Sequence, residues 1–129
     1  MPKDIKIYDI GCGTGIAGQL LTESGYNDLL GTDASSNFIE ACRKRGHYRE
    51  LILMLNGIGT EKFPVHLRNR FDVVTACGVW VKGHMPADAM DDIHSALKTG
   101  GYFVTAMRSF YYEQGQEEGY RAKLDSLIS

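Results

Sequence analysis

Residues 7–15 read IYDIGCGTG, and the placement of that stretch decides the fold. The apolar run Ile5–Ile10 predicts a short strand that ends in Gly11. Gly11, Gly13 and Gly15 then alternate with Cys12 and Thr14, and Thr14–Ser24 reads as a helix closed by Gly25. Glycine adopts backbone angles closed to other residues and puts no side chain between backbone and ligand. A glycine loop between a strand and a helix is therefore either a tight turn or a surface for close ligand approach, and context has to decide.

The pattern continues on the C-terminal side. Leu29–Thr32 predicts a second buried strand ending at Asp33. Ser35 or Ser36 is placed to cap a helix whose buried face would be Phe38, Ile39 and Cys42, with Gly46 as its stop. Glu50–Leu55 and Phe71–Cys77 predict two more strands, separated by a polar, glycine-bearing stretch. Pro86 starts a third helix with Met90, Ile93 and Leu97 on its apolar face, stopped by Gly100 and Gly101. Tyr102–Met107 is the fifth strand, and the tail from Gln116 to Ile128 reads as a last helix. Strands alternating with helices through short links predict an α/β fold: a Rossmann-like parallel sheet of about five strands, helices on both faces. Ligands of such sheets lie beyond the strands' C-terminal ends, where strand order reverses. That singles out Asp9–Gly15, Asp33–Ser35, Leu55–Gly57 and Cys77–His84.

Bulk properties narrow the classes. A chain of 129 residues suits one domain, and 43% apolar with 23% charged residues is ordinary for a globular protein. A formal charge of −2 gives no field to attract nucleic acid or an anionic membrane, so neither is expected as a partner. The basic run Arg43-Lys44-Arg45 suits a solvated helix C-terminus. Cys12, Cys42 and Cys77 lack paired spacing, which fits a reducing compartment. No segment approaches the roughly 20 apolar residues of a membrane span, and the first residues run directly into a strand, so a cytoplasmic chain without a signal peptide is expected.

Asp33, at the tip of the second strand, is placed to accept hydrogen bonds from both hydroxyls of a ribose; the alternative is a helix cap or turn acid. Residues Gly13 to Gly18 also spell GxGxxG, so a nicotinamide or flavin dinucleotide has to be weighed. Its pyrophosphate would meet the carboxylate of Asp9, two residues before the first glycine. The same carboxylate suits a ligand carrying an ammonium group and a sulfonium.

Taken together, YDIGCGTGIAGQLL, GTDASSNFIEACRKRG, RFDVVTACGVW and HSALKTGGYFVTAMR resemble the class I S-adenosylmethionine-dependent methyltransferases over roughly residues 5 to 108. Within that class they look most similar to the methyltransferase-like proteins of the Williams–Beuren chromosomal region. The resemblance implies S-adenosyl-L-methionine as cofactor. It implies that Asp9 helps hold the methionine amino group, and that Gly11, Gly13 and Gly15, with Cys12 between them, pack against methionine and ribose. Asp33 would take the ribose hydroxyls and Ala34 would flank the adenine. Asn56 and Gly57 would lie at the adenine despite departing from the acidic pattern common there, and Cys77 and Gly78 would line the reaction pocket through backbone groups. The family's sheet has seven strands and N-terminal helices over the cofactor. This chain is therefore expected to be a truncated form of that fold.

Three functions stay open: a methyltransferase domain acting on a small-molecule or protein acceptor, a non-catalytic cofactor-binding module, and a nicotinamide-dependent oxidoreductase, which Asp9 disfavours. His84 is the best candidate for a general base, against its reading as a surface histidine, and no histidine shows metal-ligand spacing. Cys77 reads as a buried apolar residue. Trp80, past the fourth strand, reads equally as a pocket wall or a plug on the core rim. The Tyr102–Met107 strand has no Lys or Pro to guard it, which predicts self-association through that edge or coverage by the tail helix.

Overall fold

Along β1 (Lys6–Ile10) successive side chains fall on opposite faces of a sheet, and both faces are buried. Tyr8 and Ile10 join one core with Leu30, Val74, Met90 and Ile93, while Ile7 joins a second with Leu29, Val73, Ile39 and Cys42. A strand covered on both sides carries apolar residues on both faces, as Ile7, Tyr8 and Ile10 do here, with Asp9 the buried polar exception. The computed structural model describes residues 2–77, 85–106 and 119–128. In it β1 pairs in parallel with β2 (Asp28–Asp33) on one side and β4 (Phe71–Cys77) on the other, and β3 (Glu50–Leu53) and β5 (Leu97–Ala106) complete the order β3-β2-β1-β4-β5. This is the α/β arrangement expected. The reversal of strand order falls between β1 and β4.

Helices α1 (Ile16–Glu23) and α2 (Ser36–Arg45) cover β1 to β3 on one face; α3 (Ala89–Ala96) and α4 (Tyr120–Ile128) serve the other. Ser35 is the cap of α2, its hydroxyl oxygen accepting the Phe38 N–H, and Gly46 ends the helix with φ of 75°. The polar stretch before β4 holds two 3-10 turns, Thr60–Lys62 and Val65–Leu67, and plants Phe63 and Leu67 in the core of Tyr8. Among the described residues no helix is long and apolar enough to cross a membrane.

Three boundaries differ from expectation, each for a tertiary reason. Leu97 is the first residue of β5 rather than part of α3, and Gly100 and Gly101 lie within the strand instead of stopping a helix. The carbonyls of Ser95 and Ala96 accept the N–H groups of Asn69 and Arg70, and Leu97 pairs with Phe71, so the segment entering β4 captures the end of α3. Pro86 opens a turn, and the helix proper begins at Ala89. β3 stops at Leu53, and Leu55 is exposed. The tail forms a helix from Tyr120, whose Leu127 packs on the first core and whose Lys123 bridges Asp88 and Asp91. Among the described residues no strand pairs with the outer edge of β5.

Candidate functional site

The loop joining β1 to α1 turns through Gly11, Gly13 and Gly15 with φ of 66°, 56° and 92°. All three lie in the left-handed region, where a side chain is strained, so the alternating glycines are a backbone requirement. The turn is tied to the neighbouring strand by a hydrogen bond from the Cys12 N–H to the Thr32 carbonyl, 2.9 Å. The Asp33 carboxylate reaches back to it: one oxygen accepts the Gly13 N–H at 3.0 Å and the other the Ser35 N–H at 2.9 Å. Two backbone donors from two loops thus hold Asp33 in one orientation at the half-buried tip of β2, and each oxygen keeps a lone pair for a ligand.

Asp9 sits differently. It is only 2% exposed. Its carboxylate accepts the Tyr48 hydroxyl at 2.5 Å and the Thr75 hydroxyl at 2.9 Å, the latter across the β1–β4 boundary where Asp9 and Thr75 are register partners. Burial pushes the carboxyl from its ordinary 3.8 up to about 6; the two hydroxyls pull it down, and the nearby charge of Asp33 adds to the rise. At neutral pH Asp9 is an ionised carboxylate held by neutral donors.

Between these acids opens a cavity of about 870 Å³. That is enough for a nucleoside-sized ligand. Of the residues that the sequence assigns to a cofactor, Asp9, Gly11, Cys12, Gly13, Asp33, Ala34, Asn56 and Cys77 line it, and Cys77, expected to be a buried apolar residue, is exposed at the end of β4. Gly15 and Gly57 stand behind the lining, and Gly78, Trp80 and His84 lie outside the described residues. The side-chain amide of Asn56 is committed within the core: it donates to Tyr8 and Asp92 at 3.3 and 3.0 Å and accepts the Thr32 hydroxyl at 3.3 Å. Asp92, on α3, also accepts the Gly57 N–H at 2.9 Å, so α3 anchors this corner of the pocket. Burial raises the Asp92 carboxyl as well.

The apolar wall escaped sequence reading. Phe38, expected above on a buried face, is 43% exposed and lines the cavity instead, together with Ile16 and Leu20 of α1, which are 60% and 58% exposed, and with Leu55, Met54 and Met85. A helix advances about 100° per residue, which puts Ile16 and Leu20 on one stripe and Leu21 on another. Two apolar stripes on one short helix were the available signal: Leu21 packs on the core and the other stripe lines the pocket. Tyr48 and Thr75 were also missed, being 39 and 66 residues from the acid they serve. Among the described residues, the lining holds two carboxylates and no Lys, Arg or His, and no group of His, Cys, Asp or Glu is arranged to hold a metal. Such a cradle fits a neutral or cationic ligand with vicinal hydroxyls and an apolar ring system.

Comparison with known proteins agrees. The family described as a methyltransferase domain matches residues 8–105. A tRNA U34 carboxymethyltransferase of Cellvibrio japonicus is 30% identical over 107 residues, covering 79% of this chain and 32% of that protein. Among solved structures, a TehB-like S-adenosylmethionine-dependent methyltransferase from Corynebacterium glutamicum superposes with a TM-score of 0.71 at 21% identity, over 98% of this chain and 66% of the other; at that identity the likeness speaks for the fold. An S-adenosylmethionine-dependent methyltransferase from Mesorhizobium loti gives 0.55 at 25% identity, over 81% and 48%. The chain spans about a third of the length of the curated relatives it matches.

Proposed function

Because this chain belongs to the methyltransferase-domain family, we propose that it binds S-adenosyl-L-methionine between Asp9 and Asp33 and serves methyl transfer to a small-molecule or protein acceptor. S-adenosylmethionine is the cofactor; when bound it supplies an electrophilic methyl group whose bond to sulfur breaks as the acceptor attacks. The observation that carries the reading is the pair of carboxylates bracketing the glycine loop at the strand-order reversal.

The chain's residues then have separable tasks. Asp33, fixed by the Gly13 and Ser35 N–H groups, takes the ribose hydroxyls, and Ala34 flanks the adenine. Asp9 offsets the positive charge of the ammonium group. Gly11, Cys12, Gly13 and Gly15 allow close approach of the loop, Asn56 and Gly57 close the adenine end, and Cys77 borders the reacting end, a role that the motif alone extends to Gly78. Ile16, Leu20 and Phe38 exclude water from the cavity. Holding an acceptor in line with the methyl group supplies most of the rate when that acceptor is already nucleophilic. A poorer nucleophile needs a base to take its proton, and His84 is the candidate in sequence.

The finer likeness to the Williams–Beuren region proteins rests on the motifs quoted above, and a cytoplasmic setting on the unpaired cysteines. The exclusion of nucleic acid is withdrawn. It rested on net charge, whereas the relatives are named for a reaction on tRNA, and a domain's total charge does not report what a larger protein binds. An RNA acceptor is accordingly the second reading.

Calorimetry tests the cofactor. S-adenosylhomocysteine is expected to bind and NAD and FAD are not, with Asp33→Ala losing about 2–4 kcal/mol through the charge-assisted hydrogen bonds to two hydroxyls. Tight NAD binding without a response to S-adenosylhomocysteine would overturn the reading.

A further inference from the structure

The third glycine of the GxGxxG pattern does not face the cavity. Gly18 lies on α1 beneath the ring of Tyr48, where a Cβ would stand 2.5 Å from Tyr48 Cζ and 2.7 Å from its hydroxyl oxygen. On the strand side, a Cβ on Gly31 of β2 would come within 2.9 Å of Tyr48 Cε1. Two bare backbones, one from a helix and one from a strand, therefore form a slot for one aromatic ring. The ring's hydroxyl emerges from that slot onto the Asp9 carboxylate at 2.5 Å. Burial and then the charge of Asp9 push the Tyr48 phenol far up, so it keeps its proton and can only donate.

We propose that Tyr48 is a positioning residue for ligand binding: seated on Gly18 and Gly31, its hydroxyl holds the Asp9 carboxylate charged and in one orientation beneath the pocket. The proposal rests on the cofactor reading above for the identity of the ligand, and on geometry for the coupling. Thr75 from β4 supports the same carboxylate. Of the other titratable groups around it, Asp33 at the tip of β2 raises the Asp9 carboxyl, and the Asp9 charge in turn raises the thiols of Cys12 in the loop, Cys42 on α2 and Cys77 at the end of β4, and the phenol of Tyr8 on β1. None of these is a cation. Two hydroxyl donors sustain the charge on Asp9, and a cationic ligand is what would complete it.

Tyr48→Phe separates the hydroxyl from the ring, since phenylalanine still fills the slot. Binding of S-adenosylhomocysteine is followed by calorimetry between about pH 5 and about pH 8, with the Asp9 carboxyl titrated in parallel by carbon-13 NMR on ligand-free protein. Wild-type affinity is expected to fall toward tenfold per pH unit below about 6. In Tyr48→Phe the fall begins about one pH unit higher, so affinity at pH 6 is about fivefold weaker while at pH 8 it is close to wild type. The Asp9 titration moves upward by the same amount. An unmoved titration in Tyr48→Phe overturns the proposal whatever the ligand does. A moved titration in a chain that binds no S-adenosylhomocysteine at any pH supports the Tyr48–Asp9 coupling and overturns the cofactor reading instead.

Discussion

The two sides of the β1–β4 boundary are covered differently. On the β1–β2–β3 side, α1 and α2 lie over one face, and the chain from the end of α2 folds back so that Tyr48 wedges between α1 and β2 above Asp9. On the β4–β5 side no described helix covers the same face: Tyr102 and Val104 are register partners of Val73 and Thr75, yet they are 61% and 55% exposed, so among the described residues this side is bare. Their strand neighbour Phe103 points to the opposite face and packs on the core there. The closed side can raise the proton affinity of a carboxylate and hold it for a ligand, because it excludes water. The bare side cannot, and its apolar side chains are available to another surface.

The largest effect is expected where the closed side is most tightly fitted. Gly18→Val would drive two methyl groups into the Tyr48 ring and is expected to cost about 3 kcal/mol or more in denaturant unfolding. Adding Tyr48→Ala should return part of that loss, giving a coupling that a merely helix-weakening substitution would lack. Full additivity of the two changes would break the picture of a shared slot.

A smaller effect of opposite sign is expected at Asp9. Its folded value of about 6 lies above the ordinary 3.8, so the folded chain binds this proton more readily than the unfolded one. Stability from this group is therefore present in full below about pH 4 and is lost as pH rises through about 6. At pH 7 the loss is on the order of 2–3 kcal/mol, which Asp9→Asn should recover. The variant is expected to unfold later than wild type at pH 7 and to match it near pH 4, while binding S-adenosylhomocysteine more weakly. An Asp9→Asn chain less stable than wild type at pH 7 would show that Tyr48 and Thr75 need a charge to pair with.

The smallest effect on stability is expected at the bare side. Tyr102→Lys or Val104→Lys should change unfolding by no more than about 0.5 kcal/mol, since neither side chain is buried. If the edge of β5 mediates self-association, these charges will weaken it, and sedimentation at several concentrations will show wild type but not the variants growing heavier. A monomeric wild-type chain with protected β5 amides would instead favour coverage of the edge within the chain.

Much of the candidate site was legible because its signals are local. A strand followed by GxGxG needs only neighbouring residues to be recognised, and Asp33 announces itself by standing where an apolar run ends. The apolar wall was not legible: Ile16, Leu20 and Phe38 satisfy a helical pattern equally well whether they meet a core or a ligand. The three cysteines show the same limit. Scattered in sequence, two of them meet, with the Cys42 thiol 3.5 Å from the Cys12 sulfur and 3.1 Å from the Gly13 carbonyl, against the loop itself.

Sequence by itself determined the order of strands and helices, the glycine loop and the two acids at adjacent strand tips, because periodicity, backbone permissiveness and charge are properties of short segments. Tertiary structure decided the rest. Whether Asp9 is a solvated acid or a buried one depends on Tyr48 and Thr75, which reach it from 39 and 66 residues away. Whether an apolar stripe becomes core or pocket depends on what the other helices and strands leave uncovered. Burial and partnership belong to the assembled surface, and no single segment carries them.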